Sequence, residues 1–429
     1  MLRPPVLATL VAGSLVLASP AAASPQGVLG FGHRAMALGT TGTASAEGAD
    51  AVYENPALLS AARHTTLQLG FEGAALGLRV DGPGMPGAVG ATPLRATTIG
   101  AVLPLPFAGI LRDRAALGLG FVTPTDVVVR ARLLYPERVQ FPLADRLQSV
   151  AVQAAMGLDL GHGVRLGAGV TALAALEGDV LVRTDVSGKI GTQVSDTLVA
   201  SYAPVFGASW ESASGRHRVG VAFRGELVGR FDVVIRAEDL GSIVIPPLHV
   251  SGLAQYEPWQ LAVEAARVEG PVRVAFGLKY AHWSAYPGPA EATVRCEDAP
   301  ELEGACDAKV PQPVGYRGTV SPRFGVEGVL DLGPAAELKG RAGYAFEPTP
   351  APEQRGARNL FDMSRSVASV GIGVAFARLP FSLDAFAQLQ MLHARTHEKR
   401  VEDGAPSSFT VTTAGTLSAG GLAVTVKLR

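Results

Sequence analysis

The sequence predicts an all-β protein, a transmembrane antiparallel β-barrel of about 14 strands with an N-terminal hatch that plugs the lumen. Three observations lead to this prediction. The chain begins with a segment typical of exported proteins, its hydrophobic residues recur with a period of two, and its connectors alternate between short and long. We expect three parts: a signal peptide over residues 1–23, the hatch over residues 24–64 and the barrel over residues 65–429.

The first segment has the features of a cleaved signal peptide. A basic residue, Arg3, precedes an apolar stretch at residues 6–18, and three alanines follow at residues 21–23. A transmembrane anchor is the alternative, but the apolar stretch is short for a bilayer and is interrupted by Gly13. The segment therefore predicts export from the cytoplasm.

Composition excludes two classes of protein. Although 48% of the residues are hydrophobic, no run of about 18 apolar residues follows the signal peptide, which argues against membrane-spanning helices. The formal net charge of −1 disfavours a nucleic-acid-binding protein, because such a protein needs a basic face for phosphates. We therefore expect no nucleic-acid partner.

Alternation of apolar and polar residues predicts the strands. In residues 381–391 every second residue is apolar and most of the others are polar, and residues 147–160 and 272–282 repeat the pattern. Each stretch is long enough to cross a membrane as a tilted strand. Strands are predicted at residues 65–80, 94–108, 114–122, 147–160, 163–176, 198–210, 216–230, 244–267, 272–283, 321–332, 336–347, 365–378, 381–396 and 409–428.

One predicted strand contains a proline. Residues 244–267 include Glu257-Pro258-Trp259, and we predict one strand with a bulge there, because two strands would make the total odd. An even number of strands places both chain ends on the periplasmic side, as in single-chain bacterial barrels.

Connector lengths separate a barrel from a soluble β-sandwich. The connectors at residues 161–163 and 379–380 are short, whereas those at residues 81–93 and 284–320 are long, and the two kinds alternate. A sandwich has no reason to sort its loops in this way. Outer-membrane barrels do, because their periplasmic turns are short and their extracellular loops are long.

The hatch is predicted from what precedes the first strand. Residues 30–60 are rich in Gly, Ala and Thr, and the rigid triplet Asn55, Pro56 and Ala57 lies near their end. A barrel of about 14 strands encloses a lumen wider than its own side chains can fill. We therefore expect this arm to fill the lumen.

The two cysteines lie in the longest predicted outer loop. Cys296 and Cys306 flank the acidic segment EDAPELEGA. In an exported protein a local disulfide is the expected state, and the spacing lacks the further His or Cys ligands that a zinc site needs. The sequence predicts a disulfide between these cysteines and no metal site.

Several stretches resemble the FadL/TodX-type outer-membrane transporters of long-chain fatty acids and other hydrophobic compounds. The most specific is GFGHRAMALGTTGTASAEGADAVYENPALL at residues 30–59, which is similar to the hatch of that family. Further similar stretches are LGLGFVTP at 117–124, HWSAY at 282–286, LKGRAGYAFEPTP at 338–350 and DMSRSVASVGIGVAF at 362–376. Together they follow the family order over nearly the whole mature chain.

The resemblance implies a mechanism and roles for particular residues. A hydrophobic ligand would be caught at an outer groove, pass to a pocket against the hatch and leave sideways into the membrane beside a kinked strand. Asn55 would hydrogen-bond backbone inside the barrel and Pro56 would end the hatch turn. Gly118, Gly120 and Pro124 would loosen the third strand, although the glycines can equally relieve crowding on the lumen face.

The expected partners are a fatty acid or aromatic hydrocarbon and the lipid of the Gram-negative outer membrane, and the barrel is expected to be a monomer. No catalytic activity and no cofactor are expected, because the Gly-x-Ser-x-Gly and His-Glu-x-x-His motifs are absent from the sequence. The alternative function is an interaction platform for secretion or surface attachment, because long loops offer binding surface. A hydrophilic porin is disfavoured, because a plugged lumen conducts poorly.

Overall fold

A computed structural model of the 429-residue chain describes residues 25–125, 139–141, 150–184, 190–238, 248–286, 293–296, 315–356, 358–401 and 407–428. The predicted signal peptide and Cys306 lie outside these ranges, so the cleavage and the disulfide with Cys296 stay predictions. In the described ranges, the helices are all too short or too polar to cross a bilayer.

Short helices precede a long series of strands. The α-helices are α1 (Pro25–Leu29), α2 (His33–Ala37) and α3 (Asp50–Glu54), and 3-10 helices occur at Pro56–Ala61, Gly109–Leu111 and Trp283–Ala285. The strands are β1 (Thr65–Asp81), β2 (Gly87–Val89), β3 (Leu94–Pro104), β4 (Ala115–Pro124), β5 (Ala151–Gly161), β6 (Val164–Thr184), β7 (Ile190–Glu211), β8 (His217–Arg224), β9 (Leu227–Glu238), β10 (Leu248–Glu257), β11 (Gln260–Glu269), β12 (Val272–Ala281), β13 (Thr293–Cys296), β14 (Thr319–Asp331), β15 (Ala336–Glu347), β16 (Arg365–Phe376), β17 (Phe381–Val401) and β18 (Ser407–Leu428).

The sheet closes into an antiparallel barrel. The first and last strands, β1 and β18, pair from Thr65 opposite Leu428 to Asp81 opposite Thr412. Within the described residues, fourteen strands follow one another around the closed wall, in the order β1, β3, β4, β5, β6, β7, β8, β11, β12, β14, β15, β16, β17 and β18. The predicted fold class, a fourteen-stranded barrel, is confirmed.

Two crossings of the wall are interrupted, and here two predicted strands are corrected. The predicted strand over residues 244–267 is two strands, β10 and β11, separated at Pro258, which has no N–H for the ladder. The predicted strand over residues 216–230 likewise divides into β8 and β9 after Arg224. Because the two interruptions are neighbours in the wall, β11 pairs with β8 and β10 pairs with β9. β8 and β9 together count as one crossing, and β10 and β11 together count as the next.

β8 pairs with β7, but β9 pairs with β6 instead. The β6–β9 ladder is parallel and runs from Leu176 opposite Phe231 to Arg183 opposite Glu238. Leu227, the first residue of β9, packs on the lumen face against Ala151, Leu173 and Ala203. The strand therefore crosses the lumen side of the β6–β7 hairpin.

The two faces of the wall differ as the alternation predicts. On β11, Leu261 and Val263 are exposed on the outer face, whereas Ala262 and Glu264 are buried on the lumen face. Aromatic rings also lie outside, including Tyr202 at 68% exposure and Phe71 at 58%. Exposed apolar and aromatic side chains of this kind face lipid in outer-membrane barrels.

Residues 27–60 are buried inside the lumen almost without exception, and we refer to the segment 25–64 as the hatch. The hatch backbone lies so close to the wall that side chains are excluded there. A Cβ atom at Gly220 would collide with the Thr43 carbonyl oxygen, and one at Gly343 would collide with the backbone of Leu38 and Gly39. The wall glycines that meet hatch atoms in this way, the glycine girdle, are Gly70, Gly100, Gly118, Gly120, Gly157, Gly167, Gly207, Gly220, Gly325, Gly343, Gly371 and Gly421.

Two glycines of the same strand test this packing. Gly343→Ala places a methyl group on the hatch backbone and should destabilise the protein by about 1–3 kcal/mol, because neither backbone can retreat without breaking hydrogen bonds. Urea titration in detergent, followed by tryptophan fluorescence, measures the change.

Gly340→Ala on β15 is the matched control, because a Cβ there has no neighbour within 4 Å. We expect its free energy of unfolding to equal or slightly exceed that of the parent, since alanine restricts the unfolded chain more than glycine does. Equal losses in the two variants would contradict the packing argument.

Candidate functional site

The triplet Asn55, Pro56 and Ala57 joins two helices of the hatch and is fully buried. Asn55 caps the 3-10 helix, its Oδ1 accepting from the Ala57 N–H at 3.1 Å, and Pro56 is the first residue of that helix. The Asn55 Nδ2 group donates to the carbonyl oxygens of Thr43 at 2.6 Å and of Ala208 at 3.0 Å. Asn55 thereby ties the hatch to itself and to β7.

The predicted kink residues lie on β4, which is paired on both edges. The ladders to β3 and β5 continue through Gly118 and Gly120 without a register shift, and Pro124 ends the strand opposite Ala96. A Cβ at Gly118 would lie 2.5 Å from a methyl group of Val52. The glycines make room for the hatch, in keeping with the second role considered for them, the relief of crowding on the lumen face. Their part in a lateral opening stays a prediction.

Glu264 of β11 is a hatch contact that sequence reasoning missed. One carboxylate oxygen accepts from the N–H groups of Gly42 at 2.7 Å and Thr43 at 3.0 Å, and the other accepts from the N–H of Ala44 and the hydroxyl of Ser45, both at 3.1 Å. Successive N–H groups around one carboxylate form a charge-assisted anion nest. The sequence feature that could have identified Glu264 is a carboxylate on the lumen-facing side of a strand with alternating polarity.

Ion pairs hold the hatch at β14, which lies two strands from β11 in the wall. The guanidinium group of Arg34 makes two hydrogen bonds of 2.9 Å to Glu327 of β14, and Glu327 also pairs with Arg341 at 2.7 Å. Burial lowers the pKa of Arg34, but the carboxylates of Glu47 and Glu327 raise it more, so its net shift is upward and the group stays charged. Removing one partner would leave an uncompensated buried charge.

Other titratable hatch groups are shifted by burial. Burial raises the pKa of the Asp50 carboxyl to about 7, although Arg34 and a hydrogen bond from the Ala35 N–H, at 3.1 Å, act in the opposite direction. Burial also raises the pKa of Glu54 and lowers that of His33. In each case burial favours the neutral form of the group.

The outer side of the hatch is covered by a cluster of packed apolar side chains, which we name the apolar chamber. Hatch residues Val28, Leu29 and Phe31 pack there with buried side chains of the wall and of two inward-reaching segments. The main partners are Leu78, Leu94, Val122, Phe141, Phe361, Met363, Phe386 and Leu417. The hatch is therefore polar where it meets the wall at Glu264 and Glu327 and apolar where it faces the long-loop end.

A narrow crevice beside this chamber is rich in cations. Arg224, Lys279 and Arg323 line it together with two carboxylates, Glu54 and Glu347. Arg224 lies 3.7 Å from the centre of the Tyr53 ring, and Glu347 pairs with Lys279 at 3.4 Å and with Arg323 at 3.1 Å. The crevice has a volume of only about 10 Å³, room for one water molecule.

Asn55 provides a test of how firmly the hatch is held. Asn55→Asp keeps an acceptor for Ala57 but loses both N–H donations and sets a carboxylate against two carbonyl oxygens. We expect higher ion conductance in planar bilayers with the β-sheet circular dichroism unchanged, and a smaller rise for Asn55→Ala.

Ser60→Ala is the matched control in the same segment. It removes only the local hydrogen bond from the Ser60 hydroxyl to the Ala57 carbonyl oxygen, at 2.8 Å. Conductance should remain that of the parent. If all three variants conduct alike, Asn55 does not hold the hatch in place.

Comparisons with known proteins agree with this architecture. Solved structures similar to the chain include a Pseudomonas aeruginosa FadL homologue (16% identity, TM-score 0.62, covering 96% of this chain and 100% of that one). The P. putida toluene transporter TodX (13%, 0.55, 94% and 99%) and the Ralstonia pickettii toluene transporter TbuX (15%, 0.52, 94% and 99%) are also similar. A comparison with curated proteins finds no match.

At these identities the solved structures show the fold alone, and the family is shown by sequence. The sequence model of the outer membrane protein transport proteins (OMPP1/FadL/TodX) matches residues 9–429, nearly the whole chain. This confirms the resemblance and the expected location in the outer membrane. The chain belongs to the OMPP1/FadL/TodX family of outer membrane transport proteins.

Proposed function

We propose that this barrel takes up hydrophobic compounds that carry an acid group, such as long-chain fatty acids, by passive diffusion past the hatch. The observation that carries the proposal is the apolar chamber over the hatch with a cation-rich crevice beside it. An apolar tail that takes a place among these side chains gains about 0.8 kcal/mol for each buried methylene group.

The charge of the crevice supports an acid over a neutral hydrocarbon. Among the described residues that line it, three cations face two carboxylates. Burial raises the pKa of Glu54, and its Oε1 atom has no hydrogen-bond partner among the described residues. The crevice therefore offers more positive than negative charge, which favours a carboxylate headgroup.

A ligand can occupy the crevice only after part of the hatch moves. Gly27, Val28 and Gly30, which belong to or follow the short helix α1, line the crevice on the hatch side. A helix of five residues has little stability of its own and depends on its packing. An apolar tail that replaces Val28 in the chamber would compensate for that packing, so α1 is the part of the hatch that we expect to give way first.

The exit of the ligand is the next step. Lateral release beside β4, which the resemblance implies, would require Val52 and Leu59 to withdraw from Gly118, because they occupy the space that a gap would use. The names of the solved relatives TodX and TbuX describe toluene transporters, and passage of a neutral ring would follow the same apolar chamber. We further propose that the protein acts as a monomer surrounded by outer-membrane lipid.

Acid and alcohol ligands of one chain length test the function. Purified parent protein should bind oleate about tenfold more tightly than oleyl alcohol, a difference of about 1.4 kcal/mol. Lys279→Gln should reduce this preference while leaving the affinity for the alcohol unchanged, as measured by fluorescence competition in detergent. If the barrel is instead an interaction platform, the purified protein should bind neither ligand, and cells that lack the barrel should lose a surface protein. That result would end the transport proposal.

Deleting the hatch tests whether it seals the lumen. Removal of residues 25–64 should convert a barrel of very low conductance into one that conducts ions in planar bilayers, because the girdle glycines leave the lumen wall bare. The β-sheet circular dichroism should persist, since the described ladders close without the hatch. A parent barrel that already conducts like an open pore would refute the hatch as a plug.

A further inference from the structure

The turn between β3 and β4, residues 105–114, exposes apolar side chains at the periplasmic end of the barrel. Phe107 is 45% exposed, Ile110 is 85% exposed and Leu111 is 40% exposed. This turn is longer than the other described connectors at that end, which are residues 162–163, 212–216, 270–271, 332–335 and 377–380. Exposed apolar side chains that are grouped in this way mark an interaction surface.

Hydrogen bonds give the β3–β4 turn a defined shape. The N–H of Leu105 donates to the Ala115 carbonyl oxygen at 2.8 Å, which extends the β3–β4 ladder by one step. A 3-10 helix follows at residues 109–111. At the end of the turn the Arg114 carbonyl oxygen accepts from the N–H of Asp159, on β5, at 2.7 Å. The exposed side chains are therefore presented by a backbone that both neighbouring strands hold in place.

The exposed residues of the turn continue the lipid-facing surface of the wall. Leu103 of β3 and Leu117 of β4 are opposite each other in the ladder, and both are exposed on the outer face. On β5, Leu158 pairs with Ala115, the first residue of β4, and the exposed Leu160 lies beyond that pair. Lipid-facing side chains of the wall thus lie directly beside the turn.

The length of β4 places the turn at the membrane boundary. From Ala115 to Pro124, a strand tilted by about 40° rises about 23 Å through the membrane. The apolar band of an outer-membrane barrel is about 25 Å tall. The band therefore covers the whole of β4, and the turn that leads into this strand lies at the inner edge of the band.

Basic side chains surround the exposed apolar residues. Arg112 and Arg114 belong to the turn, and Arg63 of the hatch donates from Nη1 to the Asp113 carbonyl oxygen at 3.4 Å. Asp113 is the single acidic residue of the turn, and its well-exposed carboxylate lies 3.8 Å from Arg112. Three arginines against one aspartate leave an excess of two positive charges, which suits the phosphate of a lipid headgroup.

We propose that the β3–β4 turn is a membrane anchor that binds anionic phospholipid in the inner leaflet of the outer membrane. Phe107, Ile110 and Leu111 insert among the acyl chains, and Arg112 and Arg114 contact lipid phosphates. Apolar side chains next to basic ones are typical of segments that lie in a membrane interface. A periplasmic protein at the same surface would have to displace lipid from the adjoining wall.

The anchor would also position the strand beside which lateral release is proposed. The turn leads directly into β4, so a ligand released beside that strand enters the leaflet that holds the turn. Arg63 connects the turn with the end of the hatch, because its Nη1 also donates to the Ser60 carbonyl oxygen at 3.0 Å. Lipid bound at the turn would thus fix the start of β4 and the end of the hatch together.

A nitroxide spin label tests the insertion. With Cys296→Ser and Cys306→Ser as background, the label is attached to Ile110→Cys in vesicles of phosphatidylcholine and phosphatidylglycerol. Its collision rate with oxygen, divided by that with a water-soluble nickel complex, should be about tenfold higher than for a label on Ala213→Cys, because oxygen enters the acyl region and the complex stays in water. Ala213 is the matched control, since it is exposed in the β7–β8 turn at the same end.

Equal collision ratios at the two positions would overturn the anchor, and a periplasmic protein would then be the partner of this surface. If the cysteine-free protein does not fold, as judged by heat-dependent gel mobility, tryptophan replaces the label in the parent background. Brominated phospholipid should then quench the added fluorescence of Ile110→Trp and leave that of Ala213→Trp unchanged. Equal quenching of the two would likewise overturn the anchor.

The arginines are tested by changing the lipid charge. With the label at residue 110, the collision ratio should rise about twofold when phosphatidylglycerol is added to phosphatidylcholine vesicles, because anionic lipid attracts arginine to the surface. Combined Arg112→Gln and Arg114→Gln should abolish this rise. Arg216→Gln is the matched control, since Arg216 is exposed in the β7–β8 turn, and it should keep the rise. An equal rise in the double variant would overturn the phosphate contacts.

Discussion

The contact on which the rest of the structure depends is the approach of the hatch backbone to the backbone of the wall. At Gly157, Gly167, Gly220 and Gly343 the atoms that a Cβ would meet are backbone atoms of the hatch, which cannot rotate away as a side chain can. Such contacts leave almost no free volume between two rigid surfaces, and interiors packed to this density resist even one added methyl group. The girdle therefore fixes the depth and orientation of the hatch, and the polar contacts follow from that placement.

The polar contacts divide the hatch into two regions held by different forces. Toward β14 and β15 the hatch is bound by the ion pairs of Arg34 with Glu327 and its neighbours, which are strong at low dielectric and costly to break singly. Toward β7, β8 and β11 it is bound by neutral hydrogen bonds of Asn55 and by the anion nest on Glu264. The hatch loop at residues 42–45 joins the two regions, because the Ser45 carbonyl oxygen accepts from Arg34 at 2.9 Å while the Ser45 hydroxyl donates to Glu264.

The barrel could be predicted from the sequence because its signals are local. Alternation within each strand, the order of short and long connectors and the small residues at 30–60 required no knowledge of distant contacts. The sequence shows Pro258, but it does not show that the strand divides there. β10 pairs with β9 and β11 pairs with β8, so the partner strand decides where each ladder ends. Glu264 and Arg34 were missed for a similar reason. Each gains its role from residues more than 200 positions away, and a single sequence does not show which lumen-facing residues meet.

Asn55 and the hatch loop at residues 42–45 form one unit, and this explains the position of the triplet. The Thr43 carbonyl oxygen accepts from the Asn55 side chain and fills the space at Gly220, while the Thr43 N–H donates to Glu264. The backbone N–H and carbonyl groups of Thr43 thus both have hydrogen-bond partners, as a buried backbone requires. The same partners fix the place of Thr43 against the wall. Pro56 then holds Asn55 at the start of a 3-10 helix, so the Asn55 amide that supports this loop is itself fixed in direction. A motif that is typical of an ordinary turn in the sequence thereby supports the contact between the hatch and β8 at Gly220.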